Sequence, residues 1–311
     1  MGDRTDIIAW LLGGDPSIRW QVMRDLLHAP ETAIASERRR VSSEGWGAQL
    51  LALQTPDGHW NDETEHGWMT TTDVLQVLRE LSADPDDAPV AAAVDLVKER
   101  IRWFQLEGQP FFDGETEACI NGRILAAGAY FSADVERLLA RLLSEQLGDG
   151  GWNCEAPPST RSSFHSTICV LEGLLAYEEA QGPTPTVTTA RERGHAYLLD
   201  RHMLRSLRSG EVIDSRWTEF SFPVVWYYDV LRGLDYLRSA GLTPDERVAD
   251  AIAAVTQRRM ADGRWPQAAP RRDQDRIPIT FETEIGAPSR WNTLRALRVL
   301  DWYAAGEREA A

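Results

Sequence analysis

The heptapeptide QLGDGGW, from Gln146 to Trp152, has the composition of a tight turn that recurs along the sequence. It follows the pattern Q-x-x-x-G-x-W, and the segment from Gln54 to Trp60 (QTPDGHW) repeats it. A third copy runs from Arg259 to Trp265 (RMADGRW), with arginine in place of glutamine. In such a turn the glycine supplies a positive φ, the tryptophan covers a helix end and the glutamine amide binds backbone groups exposed there. The recurrence predicts an internally repeated structure.

The segments around these turns have the periodicity of amphipathic helices. Apolar residues recur at spacings of three and four in Thr72 to Leu81, Val90 to Phe104, Val135 to Leu147, Thr167 to Tyr177, Val225 to Leu237, Arg247 to Arg258 and Thr293 to Trp302. Each turn therefore joins two helices in a hairpin, and the pattern predicts about six hairpins.

Two kinds of helix alternate in this pattern. The more apolar helices, which begin near Pro16, Gly67, Thr116, Ser163, Phe222 and Ala287, are expected to form an inner ring. The more charged helices, near residues 31 to 54, 87 to 107, 133 to 147, 185 to 204 and 244 to 260, are expected to form an outer ring. The sequence thus predicts an all-α fold, a closed α/α toroid that forms a single domain over residues 1 to 311. The N-termini of the inner helices are expected to line the entrance to its cavity.

Composition narrows the function classes. The 311 residues are 43% hydrophobic, enough for a large core, and the net charge of −15 argues against a general nucleic-acid binder. Three cysteines do not make a disulfide framework. There is no apolar run of the ~20 residues that a transmembrane helix needs, and the N-terminus lacks the features of a signal peptide, so we expect a cytoplasmic protein.

The turn motifs carry a family resemblance. The Q-x-x-x-G-x-W turns in helical hairpins resemble those of the terpene cyclase and protein prenyltransferase superfamily, whose shared fold is an α/α toroid. The resemblance extends from Gln54 to Trp302. It implies a squalene-hopene cyclase-like architecture and a hydrophobic, isoprenoid-like substrate. Because the turns are structural, they do not specify the reaction.

The string Asp84-Pro85-Asp86-Asp87 fits the D-x-D-D motif with which class II cyclases of that superfamily protonate a polyene. Its position contradicts this role, because it falls between a predicted inner helix and a predicted outer helix. Proline and aspartate are typical of a loop and a helix N-cap at such a place. We therefore interpret the string as a connection. A D-D-x-x-D diphosphate motif is also missing from the sequence.

The resemblance also implies a zinc site. Prenyltransferase β subunits bind zinc with an Asp-x-Cys pair and with the histidine of a Tyr-His-Thr motif. Here Glu117-Ala118-Cys119 and Phe164-His165-Ser166-Thr167 are similar, with Glu for Asp and Phe for Tyr. An additional thiol, Cys154, lies in the loop before His165. Cys119, Cys154 and His165 would make three ligands with a fourth position open, as in catalytic zinc sites.

The roles around this site stay open at the level of sequence. Glu117 or Asp229 is a candidate fourth ligand, ligand partner or catalytic base. In the alternative without a metal, the cysteines are buried core residues and His165 is a helix-end residue with satisfied hydrogen bonds.

Other polar and aromatic residues recur at the predicted inner-helix starts. Arg19 and Arg290 lie in similar segments, PSIRW and PSRWN, at the first and last inner helices, which a closed ring would bring side by side. They either bind an anion or close the ring as ion pairs. Tyr228 and Asp229 are candidate acids or bases. The remaining candidates for substrate binding are Trp68, Asp73, Arg123, Trp226 and Trp291.

Three functions follow from these observations. The first is an enzyme with an apolar cavity and a zinc ion at its mouth, which acts on a hydrophobic small molecule by Lewis-acid or cyclase/prenyltransferase-like chemistry. The second is a zinc-dependent hydrolase or lyase with a non-terpenoid substrate. The third is a non-catalytic binding or scaffold module. A protein prenyltransferase would also need a partner subunit, and the sequence defines no oligomeric partner.

Overall fold

The computed structural model describes residues 3–60, 67–271, 274–282 and 284–310. These residues are mostly helical, as predicted. The α-helices are α1 (Arg4–Leu12), α2 (Pro16–Asp25), α3 (Glu31–Arg38), α4 (Gly45–Ala52), α5 (Gly67–Glu80), α6 (Ala88–Arg100), α7 (Ala118–Tyr130), α8 (Glu136–Ser144), α9 (Phe164–Gln181), α10 (Pro185–Leu199), α11 (Val230–Ser239), α12 (Ala249–Gln257) and α13 (Arg290–Ala310). Two short antiparallel ladders pair β1 (Arg102–Trp103) with β2 (Gln109–Pro110) and β3 (Trp265–Pro266) with β4 (Pro288–Ser289).

The chain divides into two compact units. Unit 1 comprises Met1–Arg38, Leu198–Arg272 and Thr280–Ala311, and unit 2 comprises Arg39–Tyr197 and Asp273–Ile279. Helices α4 to α10 thus belong to unit 2, whereas α1 to α3 and α11 to α13 belong to unit 1. The single closed ring stays a prediction. Among the described helices, none has the length and apolar character that a membrane crossing requires.

The repeated turns have the geometry that the sequence predicts. Gly58, Gly150 and Gly263 have φ values of +92°, +99° and +87°. In each copy the tryptophan is buried and its indole N–H donates, at 2.7 Å, to a backbone carbonyl near the end of the preceding helix: Trp60 to Leu50, Trp152 to Leu142 and Trp265 to Val255.

The first residue of each motif ties the turn together. The Gln146 amide donates at 2.8 Å to the carbonyls of Gly150 and of Ala190 on α10. Gln54 makes the corresponding bonds to Gly58 and Ala93, on α6. In the third copy the Arg259 guanidinium donates to the Gly263 carbonyl at 3.1 Å. The motif thereby gives the turn carbonyl a partner and, in the first two copies, ties the turn to the following outer helix.

In unit 2, helices α5, α7 and α9 run in the same direction. Gly122 of α7 lies against the backbone of Cys169 and Val170 on α9, and Gly173, farther along α9, lies against Leu125. A Cβ atom at Gly122 would come within 2.5 Å of the α9 backbone, so only glycine permits this contact.

The same direction holds for α5 and α7. Arg123 pairs with Asp73 and Gln76, and the Tyr130 hydroxyl donates to the Ala83 carbonyl just beyond the end of α5. The N-termini of α5, α7 and α9 therefore gather at one end of unit 2, in agreement with the predicted clustering of inner-helix starts.

Two predicted helices have different bounds in the structure, and one predicted connection is confirmed. The helix predicted over Val225 to Leu237 begins only at Val230, because the Asp229 carboxylate accepts from the Arg232 N–H and caps the helix there. The outer helix predicted near 31 to 54 is two helices, interrupted before Gly45, which has a φ of +67°. The loop interpretation of the Asp84 to Asp87 string is confirmed, since Asp87 is the N-cap residue of α6.

In unit 1, α2 and α13 lie side by side, as expected for the first and last inner helices. The Arg298 guanidinium on α13 donates to Gln21 at 2.9 Å and to Asp25 at 3.3 Å, both on α2. It also pairs with Asp235 on α11. A buried ionic network therefore joins three helices of this unit.

Candidate functional site

A group of three ligand-type side chains lies at the helix-start end of unit 2. Single ligand atoms of Glu117, Cys119 and Cys154 all lie within 4.8 Å of one another. Cys119 is buried, Cys154 is half-buried and Glu117 is exposed. The group is therefore accessible to a ligand at Glu117, partly accessible at Cys154 and closed at Cys119.

The start of α7 positions two members of the group. Glu117 is the N-cap residue of α7 and Cys119 lies in its first turn, so their side chains project from the same helix end. The Cys119 thiol lies 3.7 Å from a Glu117 carboxylate oxygen. The Cys119 N–H, one of the N–H groups that a helix start leaves without an intrahelical partner, donates to the Cys154 sulfur at 3.2 Å.

The turn after the second Q-x-x-x-G-x-W copy brings Cys154 to this place. Trp152 is fixed by its indole hydrogen bond, and its N–H donates to the Thr167 hydroxyl on α9 at 3.0 Å. The loop then returns to Ser163, whose N–H donates to the Trp152 carbonyl at 2.8 Å. Cys154 is thereby held between the starts of α7 and α9.

The two cysteines shift each other's pKa in opposite directions. The neighbouring Cys119 side chain lowers the pKa of Cys154, and the Ser166 hydroxyl and the Cys119 N–H lower it further. The Cys154 side chain, together with burial, raises the pKa of Cys119. Cys154 is therefore the sulfur that becomes a thiolate first, as a metal ligand or a nucleophile must be.

This donor set fits zinc. Zinc prefers thiolate, imidazole and carboxylate ligands in a tetrahedral shell, with Zn–S distances of about 2.3 Å, which places neighbouring ligand atoms about 3.5–4 Å apart. The three ligand atoms lie within 4.8 Å of one another, close enough for small side-chain rotations to close such a shell. Two sulfurs and one carboxylate oxygen would leave one position for substrate or water.

His165 lies outside this group of three. It occupies the first turn of α9 and is half-buried, one residue before Ser166. The role of His165 as a ligand stays a prediction. The third cysteine, Cys169, is fully buried on α9, and all three cysteines are free thiols.

A buried ion pair lies one turn farther along α7. Arg123, four residues after Cys119 and thus on the same face of the helix, pairs with Asp73 and with Gln76 on α5. Arg276 approaches the other Asp73 oxygen at 3.9 Å. Asp73 and Arg123 were predicted separately as substrate-binding residues, and the structure brings them together as a pair that joins α5 to α7.

Aromatic rings lie at the start of α5. Trp68, half-buried in the first turn of the helix, has its ring centroid 4.8 Å from that of Trp103. Trp103 is fully buried, and its ring stacks on Phe111 at 5.4 Å. Of the predicted tryptophans, Trp68 is therefore the one that offers a partly accessible face in unit 2.

The remaining predicted residues lie in unit 1, where the structure shows helix-capping and packing contacts for them. The Tyr228 hydroxyl donates to the Met203 carbonyl at 2.6 Å, and Asp229 caps α11. Burial raises the pKa of Asp229, and Arg295 opposes that rise. Trp291 stacks on Phe222 with a centroid distance of 4.1 Å.

The other three members of this set lie nearer the surface of the same unit. The Trp226 ring stacks on Tyr227 at 4.0 Å. Arg19 forms an ion pair with Glu37 on the neighbouring helix α3, at 2.5 Å, and its role in closing the ring stays a prediction. The Arg290 guanidinium lies over the Trp10 ring at 4.6 Å and donates to the Trp10 carbonyl.

Sequence reasoning missed Ser166. Its hydroxyl oxygen lies 3.2 Å from both the backbone nitrogen and the sulfur of Cys154. The signal was present in the sequence, because Ser166 belongs to the Phe-His-Ser-Thr segment that was singled out for its histidine.

Comparisons with known proteins complete the description of the chain. No family model and no curated protein matches it. A variant of the type II terpene cyclase MstE from Scytonema, in complex with merosterolic acid A as product, is 18% identical over 94% of this chain and 88% of that chain, with a TM-score of 0.46. Another variant of that cyclase, with geranylgeranyl dihydroxybenzoate as substrate, is 16% identical over 96% and 87%, with a TM-score of 0.43. A protein from Actinoplanes is 15% identical over 94% and 90%, with a TM-score of 0.44.

Proposed function

We propose that this protein is a zinc-dependent enzyme whose reaction takes place at the helix-start end of unit 2, with Glu117, Cys119 and Cys154 as metal ligands. The observation that carries the proposal is the convergence of these three side chains within 4.8 Å. Two thiols and a carboxylate form a set that selects zinc over the hard cations calcium and magnesium, which prefer oxygen ligands only.

The three ligands and the nearby ion pair have different roles at this site. Cys119 and Cys154 bind the metal on the buried side, and the exposed Glu117 carboxylate faces the side from which a substrate arrives. When bound, zinc would polarise a substrate oxygen or lower the pKa of a water molecule. The pair of Arg123 and Asp73 fixes the spacing of α5 and α7, and hence the place of Cys119 relative to Trp68.

We propose a hydrophobic, isoprenoid-like small molecule as the substrate. The turn motifs that resemble the terpene cyclase and prenyltransferase superfamily support this class, and so does the partly accessible Trp68 ring at the same end of the unit as the thiols. An indole face binds both apolar chains and developing carbocations. Conversion of a polyprenyl substrate by Lewis-acid or cyclase-like chemistry is the reaction that this combination favours.

The exposure of Glu117 favours a second candidate, a zinc-dependent hydrolase. A carboxylate beside a metal position, if it does not itself bind the metal, can accept the proton of an attacking water. The two candidates differ in their product. Hydrolysis in water enriched in oxygen-18 places the heavy oxygen in the product, whereas cyclisation or elimination without water addition does not.

Metal content tests the proposal. Elemental analysis of protein purified without chelator should find about one zinc per chain, and Cys154→Ser should lose it. Cys169→Ser is the matched control, since this thiol is fully buried outside the group and should leave the zinc content unchanged. Zinc-loaded protein should convert one of a panel of farnesyl and geranylgeranyl alcohols and diphosphates. Equal zinc contents in Cys154→Ser and the unchanged protein, or no zinc in either, would contradict the proposed site.

A further inference from the structure

We propose that Ser166 is a positioning residue for Cys154, and that its hydroxyl group sets the metal affinity of the site. The inference rests on the proposed zinc site and goes beyond its three ligands. Ser166 is buried, with 3% of its surface exposed, so its hydroxyl group finds its partners inside the protein. Both of its observed contacts go to Cys154, at 3.2 Å to the backbone nitrogen and at 3.2 Å to the sulfur.

The donor and acceptor groups of Ser166 and Cys154 determine the direction of these hydrogen bonds. The backbone N–H of Cys154 can only donate, so the Ser166 oxygen accepts from it. The single hydrogen of the hydroxyl group then remains for the sulfur, which can only accept once it is a thiolate. Two bonds to one residue fix both the backbone and the side chain of Cys154, and therefore the direction in which its sulfur faces a metal.

The sulfur is held from a second side as well. The Cys119 N–H in the first turn of α7 donates to it at 3.2 Å. Ser166 belongs to the first turn of α9, so the starts of two helices each supply one donor. The close packing of these helices at Gly122 and Gly173 fixes the distance between the donors. The starts of the two helices therefore fix the position of the Cys154 sulfur.

This arrangement makes Cys154 the principal anchor of the site. Residues that hydrogen-bond to metal ligands typically contribute 10- to 100-fold to metal affinity. We accordingly expect removal of the Ser166 hydroxyl to weaken zinc binding by about 10- to 100-fold, while all three ligands are still present.

The experiment compares single-hydroxyl variants in the full chain. Zinc affinity, measured by competition with a chromogenic chelator, should fall in Ser166→Ala by the stated factor. Ser163→Ala is the matched control: it removes the same group three residues earlier, where the serine makes no side-chain capping bond to α9. Its zinc affinity should stay within about twofold of that of the unchanged protein, because it removes no ligand partner.

A second readout separates positioning from general loosening of the structure. In cobalt-substituted protein, the thiolate-to-cobalt charge-transfer band reports the sulfur–metal bond directly, and it should shift or weaken in Ser166→Ala. Ser166→Thr keeps the hydroxyl group and should retain most of the affinity and the band, whereas Ser166→Val, of the same shape as threonine, should lose them. This pair provides the test even if Ser166→Ala folds poorly.

Different results would contradict the role of Ser166 and the zinc site itself. Ser166→Ala and Ser166→Val with the zinc affinity and cobalt spectrum of the unchanged protein would overturn the role of Ser166 and leave the zinc site intact. An unchanged protein that binds neither zinc nor cobalt would contradict the zinc site itself, and the role of Ser166 with it.

Discussion

The two units use the same turn and put different residues at the helix starts beside it. Trp152 in unit 2 and Trp265 in unit 1 make the same indole bond, and their N–H groups both donate at 3.0 Å to a threonine hydroxyl, on α9 and α13 respectively. Beyond that turn, unit 2 presents thiols and a carboxylate, whereas the described helix starts of unit 1 carry caps and stacked rings. The shared turn maintains the scaffold, and the variable helix start carries the chemistry.

Glu282 shows how unit 1 uses a carboxylate that unit 2 leaves available. It is half-buried and lies against the start of α13, where it accepts from the N–H groups of Arg290 at 2.5 Å and Trp291 at 3.3 Å, and from the Ser289 hydroxyl. Glu117 occupies a comparable place at the start of α7, yet it makes no capping bond to that helix and is exposed. A carboxylate that does not cap its helix is available to a ligand.

The largest expected loss of stability concerns the buried ion pairs of unit 1. Asp235→Ala removes the α11 carboxylate that pairs with Arg298 and Arg295. Removal of one partner of a buried pair typically costs about 3–5 kcal/mol. Urea unfolding should show that loss of stability with zinc content unchanged. Asp301→Ala breaks the exposed pair with Arg4 and should cost at most about 1 kcal/mol. Equal costs for the two variants would remove the structural role assigned to the unit 1 network.

Acid should affect unit 2 before unit 1. Burial, with the neighbouring Arg191 charge, lowers the pKa of His195 on α10 to about 4. A histidine with a lowered folded pKa stabilises the protein fully above its unfolded pKa of about 6.5 and loses that contribution as the pH falls toward 4. At about 1.4 kcal/mol per pKa unit, this lowering corresponds to at most about 3.5 kcal/mol.

Asp235 in unit 1 responds in a lower range. Burial acts to raise its pKa, and the charges of Arg298, Arg238 and Arg295 outweigh burial, so the pKa lies below its usual range. The stability that Asp235 contributes is therefore full above about pH 4 and is lost only below it.

Hydrogen exchange between pH 6.5 and 4.5 tests this order, and it should show loss of protection in α9 and α10 of unit 2. His195→Gln should abolish this pH dependence. Protection lost first in α11 and α13 would reverse the predicted order.

The smallest of these effects tests whether the turns are equivalent. Trp152→Phe and Trp265→Phe each remove an indole N–H and leave a buried carbonyl without its donor, which costs about 1–3 kcal/mol. Because the two contacts have the same length and burial, their costs should agree within about 0.5 kcal/mol. Thermal or urea unfolding of the two variants measures this directly. A clear difference between them would mean that the motif has diverged in function between the units.

The sequence was most informative where a local pattern determines structure. The Q-x-x-x-G-x-W copies specify their turns through residues four and six positions apart. The proximity of Cys119 and Cys154, whose sulfurs lie within 4.8 Å of each other, was expected only through the family resemblance. The sequence was least informative where partners come from different helices. The pairing of Asp73 with Arg123, and the contact of Ser166 with Cys154, depend on which helices pack together. The late start of α11 depends on the Asp229 cap, which outweighs the apolar run before it.

X-ray absorption at the zinc edge shows directly whether two thiols and a carboxylate of unit 2 bind zinc. We expect a first shell of two sulfur atoms at about 2.3 Å and oxygen at about 2.0–2.2 Å, and no bound zinc in Cys154→Ser. Outer-shell imidazole scattering that disappears in His165→Ala would add His165 to the ligands without disturbing the thiols. A shell of nitrogen and oxygen alone would contradict the account.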